Sequence, residues 1–259
     1  MSRPAFIALA DDLTGAAELA AIGRRMGLHS VICTEGERAS HRAELVVHDT
    51  DSRLCTATEA ARRVRTTLEA VRGRDPGASI FKKVDSVLRG PVAAELVAAA
   101  TALGKSRVLL VPANPSLGRT LRDGTYRIDG VPLDETAFAH DPHHPALSSR
   151  VLDMLGPVTD LLASSVAPAC ASLPVGIVLG DATCIEDMDT WAGRLGDGTL
   201  AAGGADFFSA WLRNRGCNQL PRSAFPHLGA PVLLIAGSTA PAGRAHLAAA
   251  AAAGTAVVP

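Results

Sequence analysis

Short, continuous apolar runs alternate with longer stretches of helical periodicity from residue 5 to residue 113. The runs of strand length are "AFIALA" (5–10), "SVIC" (30–33), "ELVVHDT" (44–50), "SIFKKV" (79–84) and "RVLLVPA" (107–113). Between them apolar residues recur at helical spacing, and Gly27 and Gly104 mark predicted helix ends. Apolar strands alternating with helices are typical of a parallel sheet covered on both faces. The sequence therefore predicts a three-layer, mainly parallel α/β fold of the Rossmann-like type.

Residues 114–146 interrupt this alternation with a long polar stretch rich in Gly, Pro and Asp. Within it, "GTYRIDGVPL" predicts a small hairpin around Asp129-Gly130. A polar stretch of this length inside a domain is usually a functional loop or lid. The alternation then resumes, with helices predicted near 147–155, 185–195, 204–214 and 240–254, and strands near 175–179, 231–238 and 255–259. We predict an α/β domain over 1–230 and the start or remnant of a second domain over 231–259.

Composition and charge exclude several classes of partner. The 259 residues carry a net charge of −1 with no basic run, and aromatic residues make up 3%. Such a chain offers neither a basic patch nor a stacking surface for nucleic acid, nor attraction to an anionic membrane. Apolar stretches are broken before they reach the length of a membrane span or signal peptide. Five scattered cysteines without a CxxC motif suit a reducing compartment. We expect a cytoplasmic protein that binds a small molecule.

Polar clusters follow four of the predicted strands, at the ends where an open parallel sheet binds its ligands. The clusters are Asp11-Asp12 with Thr14-Gly15; Asp49-Thr50-Asp51-Ser52-Arg53; Lys82-Lys83-Val84-Asp85-Ser86 with Arg89-Gly90; and Asn114 with Gly118-Arg119-Thr120. If the strands are parallel, these clusters converge on one rim. Predicted helix N-termini beside Thr14 and Gly90 also favour anions there. The pattern predicts a site for a small anion.

The residue types at this rim suit a charged, hydroxylated substrate. Arginine binds a carboxylate or phosphate through two hydrogen bonds, and lysine supplies a compact charge. An aspartate beside them can accept a proton from a sugar hydroxyl. In an extended segment Lys83 and Asp85 share one face while Lys82 lies on the other. We therefore favour Lys83 over Lys82 as the binding lysine.

Simpler interpretations apply to several of these residues taken singly. Asp11 or Asp12 could equally cap the following helix, and an isolated Arg53 would be a typical surface residue. Other polar residues carry weaker signals, namely His140, Asp141, His143 and His144 for a metal, Ser238 for a nucleophile, and Gly203-Gly204 for phosphate. No further metal-ligand spacing, GxSxG or glycine-rich phosphate motif supports them. We predict no metal site from protein ligands.

Several segments, taken in order, resemble the four-carbon acid sugar kinase family. They are "ALADDLTGAAELA", "DTDSR", "FKKVDSVLRGPVAAEL", "PANPSLGRTLRDGTYRIDGVPLDETAFAHDP" and "VLLIAGSTAP". Members of this family phosphorylate threonate, erythronate or their oxo-derivatives with ATP. The resemblance implies that this chain corresponds to the N-terminal, sugar-acid-binding domain of a two-domain enzyme, and that ATP and Mg²⁺ are cofactors. The glycine-rich donor segment of the second domain has no counterpart in the sequence, as expected of a natural short form or a fragment.

The resemblance also implies roles for individual residues. Asp12 and Asp85 are the candidate general bases. The implied sugar-acid-binding set is Asp11, Arg53, Lys83, Ser86, Arg89, Asn114, Arg119 and Thr120, with Gly237 and Ser238 near the nucleotide. The chain departs from the family at two places: Val87 stands where the pattern has Thr, and Glu18 where Asp is commoner. The loss of the hydroxyl at Val87 implies an altered substrate or a relaxed site.

Three functions remain open from the sequence. The first is a sugar-acid kinase, and the second is a non-catalytic sugar-acid-binding protein or split-kinase subunit that needs a nucleotide-binding partner in trans. The third, a hydrolase on a similar sheet, depends on Ser238 alone. The question that separates the first two is whether this chain can hold a phosphoryl donor.

Overall fold

A sheet of eight parallel strands organises the first part of the chain. The structure is a computed structural model that describes residues 5–34, 42–156, 163–166, 172–220 and 241–254, with the backbone alone described at 163–166. Its strands are β1 (Phe6–Ala10), β2 (Ser30–Cys33), β3 (Leu45–Asp49), β4 (Ser79–Lys83), β5 (Arg107–Val111), β6 (Arg119–Arg122), β7 (Thr125–Ile128), β8 (Val131–Pro132), β9 (Ala163–Val166), β10 (Gly176–Gly180) and β11 (Thr199–Gly203). Within the described residues the large sheet has the order β2-β3-β1-β4-β11-β5-β10-β9.

Helices cover both faces of this sheet. They are α1 (Leu13–Arg25), α2 (Ala57–Arg74), α3 (Val92–Leu103), α4 (Val151–Leu155), α5 (Ile185–Gly193) and α6 (Ala205–Arg213). Consecutive side chains of a strand point to opposite faces, and in β4 Lys82 reaches Glu95 of α3 whereas Lys83 reaches Glu18 of α1. Helices α2 and α3 pack together, while α6 contacts both α1 and α5. The predicted three-layer, mainly parallel α/β fold is confirmed.

An aromatic cluster fixes α6 against the middle of the sheet. Phe81 of β4 lies with its ring centroid 5.0 Å from that of Phe208, and Phe208 stacks on Trp211 at 5.6 Å. All three side chains are buried. Burial of such rings is among the largest apolar contributions a side chain makes to stability. The cluster therefore anchors the helix that follows β11 beneath the centre of the sheet.

Strand β11 was not anticipated, although it lies between β4 and β5. Its sequence, "TLAAG", consists mostly of small residues, which carry little strand preference. Close packing explains why they are small: a Cβ on Gly203 would lie 2.2 Å from the carbonyl oxygen of Val111. The sequence analysis also did not predict β9.

The predicted hairpin within residues 114–146 is present as part of a second, three-stranded antiparallel sheet in the order β6-β7-β8. Asp129 and Gly130, with φ of 50° and 83°, form the tight turn between β7 and β8. Asp123 and Gly124 form a similar turn between β6 and β7, with φ of 51° and 69°. Both oxygens of Asp181, just after β10, accept hydrogen bonds from the amides of this second turn. This contact holds the small sheet against the carboxyl end of the large one.

By its contacts the chain divides into two units, Met1–Leu220 and Pro221–Pro259. The described part of the second unit is 241–254, which contains α7 (Pro241–Ala252) close to the predicted helix at 240–254. The strands predicted at 231–238 and 255–259, together with Gly237 and Ser238, lie outside the described residues. The interpretation of 231–259 as part of a nucleotide-binding domain stays a prediction. No helix within the described ranges has both the length and the apolar character needed to cross a membrane.

Candidate functional site

Three of the four predicted clusters meet because β3, β1 and β4 are neighbours in the sheet. Ala10 at the end of β1 is in register with Asp49 of β3, and Leu9 with Lys82 of β4. The polar residues that follow these strands therefore emerge side by side at the carboxyl edge. The fourth cluster follows β5, beyond β11, and returns to this edge through Arg119. We call this group of side chains the rim site.

Arg53 lies at the centre of the acidic part of the rim site. Its Nε and Nη2 contact the two carboxylate oxygens of Asp11 at 2.7 and 3.0 Å, and its Nη1 lies 2.5 Å from Asp12. Asp85 is 3.5 Å from Nη2. Burial alone would lower the pKa of Arg53, but the hydrogen bond to Asp11 and the charges of the three carboxylates raise it above the ordinary value. Arg53 thus organises three acids rather than standing open to a substrate.

Asp12 combines the two roles that the sequence left open. Its Oδ1 accepts the amide hydrogen of Gly15 at 2.7 Å and so caps α1, while its Oδ2 pairs with Arg53. Gly15 itself permits the close approach, since a Cβ there would lie 2.9 Å from Asp12 Oδ1. The Asp12 side chain remains 24% exposed, compared with 3% for Asp11. Of this acidic pair, only Asp12 is open to a small molecule.

Asp85 shapes the loop between β4 and α3. Its Oδ2 accepts the amides of Val87 and Arg89 at 3.1 and 3.2 Å, and its two oxygens pair with the Arg89 guanidinium at 3.0 and 2.9 Å. Burial would raise the pKa of this carboxyl, but Arg89 and Arg53 outweigh it and lower the pKa to about 2. The loop also holds Leu88 at a φ of 62°, which is unusual for a bulky residue. Asp85 is therefore built into the loop structure.

The two adjacent lysines have different surroundings. Lys82 pairs with Glu95 at 2.8 Å within the protein, whereas Lys83 donates to the carbonyl oxygen of Val84 at 2.7 Å and lies 3.5 Å from Glu18. Glu18 is 40% exposed, so this partner is accessible to water and contributes only a weakly held counter-charge. Both lysine side chains are buried, with Lys83 3% and Lys82 1% exposed, so the preference for Lys83 as the binding lysine stays a prediction.

On the other side of the rim site, two arginines flank one aromatic ring. The guanidinium carbons of Arg89 and Arg119 each lie 5.9 Å from the centroid of Phe138. Arg119 donates to the hydroxyl of Ser86, and Arg89 pairs with Asp141 at 3.2 Å as well as with Asp85. No carboxylate within the described ranges pairs with Arg119. The long polar segment thus folds back over the rim site and brings a cation with spare hydrogen-bonding capacity.

Other predicted site residues lie apart from this group. Asn114 is buried, and its Oδ1 accepts the amide of Asp206 at 2.9 Å, so it satisfies the N-terminus of α6. Its backbone pairs with that of Arg119. Thr120 is opposite Arg127 in the small sheet. The Asn114 carbonyl oxygen is thus engaged with α6, and the roles of Asn114 and Thr120 in substrate binding stay predictions.

The structure also explains the departure at Val87 and the histidine-rich loop. The Val87 side chain is buried in the hydrophobic core, so a hydroxyl there would not face the rim site. Asp141 accepts the amides of His143 and His144 at 3.0 and 2.9 Å. In the described part of the chain, no group of three or more His, Cys, Asp or Glu is arranged to hold a metal ion.

Three residues near the rim site were not identified from the sequence. Tyr126 donates from its hydroxyl to the carbonyl oxygen of Ser86, and burial raises the pKa of this phenol above its ordinary value. Phe138 lies beneath the two arginines. Glu95 receives the hydroxyl of Ser52 as well as Lys82. A glutamate inside the otherwise apolar helix "VAAELVAAATAL" was the one available signal for this contact.

The fold and the site together define a class of protein: a parallel α/β domain that carries a mixed-charge site at the carboxyl edge of its sheet. Residues 6–211 match the family described as "Sugar-binding N-terminal domain". The chain belongs to the four-carbon acid sugar kinase family.

The similar curated proteins are kinases of four-carbon acids. A D-threonate kinase of Salmonella typhimurium is 32% identical over 71% of this chain and 46% of its own length. A D-threonate kinase of Bordetella bronchiseptica is 33% identical over 76% of this chain and 51% of its own length. A D-erythronate kinase of Heliobacterium modesticaldum is 31% identical over 72% of this chain and 47% of its own. The chain thus spans about half the length of these relatives.

Solved structures agree on the fold. A protein of unknown function (DUF1537) from Bordetella bronchiseptica, solved with bound citrate as a domain-swapped dimer, has a TM-score of 0.71 and 30% identity. The match covers 82% of this chain and 56% of that protein. A Haemophilus influenzae protein of the same DUF1537 group has a TM-score of 0.75 at 18% identity. The match covers 86% of this chain and 60% of that protein, and it supports the fold alone.

Proposed function

We propose that the rim site binds a four-carbon sugar acid of the threonate or erythronate type and presents one of its hydroxyl groups for ATP-dependent phosphorylation. The observation that carries this proposal is the series of contacts that connects Arg119 to Asp12 through Ser86, Asp85 and Arg53 at the carboxyl edge of the sheet. At one end of this series Arg119 has no carboxylate partner among the described residues, and at the other end the Asp12 carboxylate is 24% exposed. A substrate with a carboxylate at one end and hydroxyls along its length matches both.

Arg119 is the residue that we assign to the substrate carboxylate. Its guanidinium already donates to Ser86 and lies over Phe138, so its orientation is fixed before a ligand arrives. A preoriented arginine can donate two parallel hydrogen bonds to a carboxylate. Arg89, on the same ring, is paired with both Asp85 and Asp141 and therefore leaves the substrate carboxylate to Arg119. The Bordetella bronchiseptica structure was solved with bound citrate, which shares a carboxylate and a hydroxyl group with the proposed substrates.

Of the two predicted bases, Asp12 suits proton acceptance better. Asp85 has a pKa of about 2, is 6% exposed, and uses both oxygens to hold Arg89. A carboxylate of such low basicity is a poor proton acceptor near neutral pH. Asp12 is 24% exposed, and it pairs with Arg53 through Oδ2 alone while Oδ1 accepts the amide hydrogen of Gly15. We assign to Asp12 the acceptance of the proton from the substrate hydroxyl.

The described residues do not provide a fitting site for ATP. Helix N-termini are the natural positions for phosphate groups, but Asp12 and Asn114 each accept one amide hydrogen at the N-termini of α1 and α6. At the N-terminus of α3, the first amide, that of Val92, donates to the carbonyl oxygen of Gly90. The carboxylate at the N-terminus of α1 would also repel phosphate. We therefore assign the ATP and Mg²⁺ expected for the family to no residue in the ranges that the structure describes, and derive no step through them.

A second candidate function is an acceptor-binding subunit completed by a nucleotide-binding partner. The observation in its favour is apolar exposure beside the rim site: Leu13, Leu54 and Leu117 are 55%, 71% and 56% exposed. Leu13, Leu54 and Leu117 come shortly after the ends of β1, β3 and β5, respectively. Exposed leucines around a polar cleft are typical of a surface that another protein surface covers.

Calorimetric titration tests the proposal directly. The chain would be titrated with D-threonate and D-erythronate, and with the neutral tetritols threitol and erythritol as matched controls that lack the carboxylate. We expect binding of at least one acid and of neither tetritol. Equal binding of acids and tetritols, or of none of the four, would overturn the proposal. Adding ATP and Mg²⁺ then separates the two candidates, because ADP formation identifies a kinase and binding without ADP supports the subunit.

A further inference from the structure

A buried ion pair lies beneath the rim site and has no place in the chemistry proposed above. Lys82 Nζ and Glu95 Oε2 are 2.8 Å apart, and the two side chains are 1% and 2% exposed. They lie on the α3 face of the sheet, opposite the face to which Lys83 points. Neither side chain is open to a ligand, so any contribution to binding is made through other residues.

Hydrogen bonds connect this pair to the loop that carries Arg53. The hydroxyl of Ser52 donates to the free oxygen of Glu95, and Ser52 Oγ lies 2.7 Å from Thr50 Oγ1. Thr50 in turn lies 2.8 Å from the carbonyl oxygen of Ala10, the last residue of β1. The amides of Ser52 and Arg53 donate to the carbonyl oxygen of Asp11 at 2.9 and 3.1 Å. A continuous set of contacts therefore runs from α3 through Ser52 to Arg53 and its acidic partners.

Stability alone does not account for this arrangement. Removing two charges from water is costly, and replacing a buried ion pair by apolar side chains of similar volume is often neutral or stabilising. The pair is buried in a domain whose buried hydrophobic residues form a large core, where apolar residues would be the simpler choice. What an apolar pair would not provide is a hydrogen-bond acceptor for Ser52.

We propose that Lys82, Glu95 and Ser52 form a positioning unit that fixes residues 49–53, so that Arg53 holds Asp11 and Asp12 in the geometry that binds the sugar acid. The three residues act through Arg53 and do not touch the substrate. The inference rests on the proposed function for its binding readout, and on a separate spectroscopic readout for the position of Arg53 itself.

The test uses two variants that reach the unit from opposite ends. The double variant Lys82→Met/Glu95→Leu replaces the ion pair by apolar residues, and Ser52→Ala removes the hydroxyl while the ion pair stays. Asp189→Asn is the matched control, because Asp189 forms an exposed ion pair with Arg213 that joins α5 to α6 and makes no contact with residues 49–53 among the described residues. Thermal unfolding and calorimetric titration with D-threonate would be measured for all of them.

We expect both variants to lose about tenfold or more in affinity, because each leaves Arg53 less well placed to hold its carboxylates. The double variant should unfold at a temperature equal to or above that of the unaltered chain, and Asp189→Asn should bind normally. A purely structural role would give the opposite pattern, with lower unfolding temperatures and unchanged affinity in the folded protein. If the double variant does not fold, Ser52→Ala alone decides the matter.

The Nε–Hε signal of Arg53 in ¹H–¹⁵N NMR spectra supplies the second readout, assigned by its loss in Arg53→Lys. In the unaltered chain this proton is held by Asp11, and we expect slow exchange with water. The signal should shift and exchange faster in Ser52→Ala. Unchanged spectra and unchanged affinity in Ser52→Ala would overturn the positioning unit. If D-threonate fails to bind the unaltered chain, the proposed function fails, while the NMR comparison still tests the positioning of Arg53.

Discussion

Arg53 binds both carboxylate oxygens of Asp11, although 42 positions separate the two residues in the chain. Its Nε lies 2.7 Å from Oδ2 and its Nη2 lies 3.0 Å from Oδ1. The pair joins the ends of β1 and β3, and Arg53 also reaches Asp12 and Asp85. One side chain thus sets the relative positions of three acids at the edge of the sheet.

Replacing Arg53 by methionine should destabilise the protein strongly. The change leaves the buried carboxylate of Asp11 without its partner, and breaking a buried ion pair by removing one member costs about 3–5 kcal/mol. Urea unfolding would measure the difference. The control is Arg62→Met, which removes an exposed ion pair on α2 and should cost no more than about 1 kcal/mol. Equal unfolding midpoints for the two variants would contradict the central role of Arg53.

Substitution of Arg119 by alanine should weaken sugar-acid binding with little effect on stability. The loss of one charge-assisted contact to the substrate carboxylate corresponds to about 1.5–3 kcal/mol. Arg122, exposed on the same strand, provides the matched control in Arg122→Ala. Calorimetry with D-threonate would check both variants. Equal affinities for Arg119→Ala and Arg122→Ala would show that the carboxylate binds elsewhere.

The carboxylate of Asp85 should make the stability of the protein depend on pH in the acid range. Its pKa of about 2 lies below the ordinary value of 3.8, so its stabilising contribution is complete above that value and is lost as the pH falls through the folded-state pKa. The shift corresponds to about 2 kcal/mol. Urea unfolding at a series of pH values between about 5 and 2 should show a smaller acid loss in Asp85→Asn than in the unaltered chain. Parallel curves for the two proteins would refute this assignment.

Asn114→Ala should lower stability and leave sugar-acid affinity unchanged. Asn114 supplies a hydrogen-bond acceptor to the first turn of α6, and loss of such a cap costs about 1 kcal/mol. Thermal unfolding together with calorimetry separates this role from the substrate contact that the family resemblance implies. A normal unfolding temperature with weakened binding would restore Asn114 to the substrate-binding set.

The sequence was sufficient to predict the main sheet and the rim, because large apolar residues mark β1, β3, β4 and β5 and their polar ends differ sharply from them. Strand β11 was missed for a physical reason. Its two alanines and one glycine carry little strand preference, and Gly203 is required by its close contact with the carbonyl oxygen of Val111 in β5. Such a requirement exists only once the neighbouring strand is in place.

Residue roles were harder to predict than residue positions. The motif "DTDSR" correctly placed Arg53 at a strand end, but a sequence does not show that three carboxylates would converge on it. Likewise, the spacing of Lys82 and Lys83 predicted opposite faces, whereas the burial of Lys82 with Glu95 depends on where α3 crosses the sheet. Contacts between distant segments decide both cases.

The rim site is built from two separate parts of the chain, the segment that contains the small antiparallel sheet and the ends of strands of the large sheet. Arg119 and Phe138 belong to the 114–146 segment, while Asp12, Arg53 and Asp85 extend directly from strands of the large sheet. Lengthening or shortening that segment would move the guanidinium relative to the acids without altering a single core strand. Among chains of this fold, we therefore expect this segment to vary with the size of the acceptor molecule, while the group formed by Asp12, Arg53 and Asp85 stays constant.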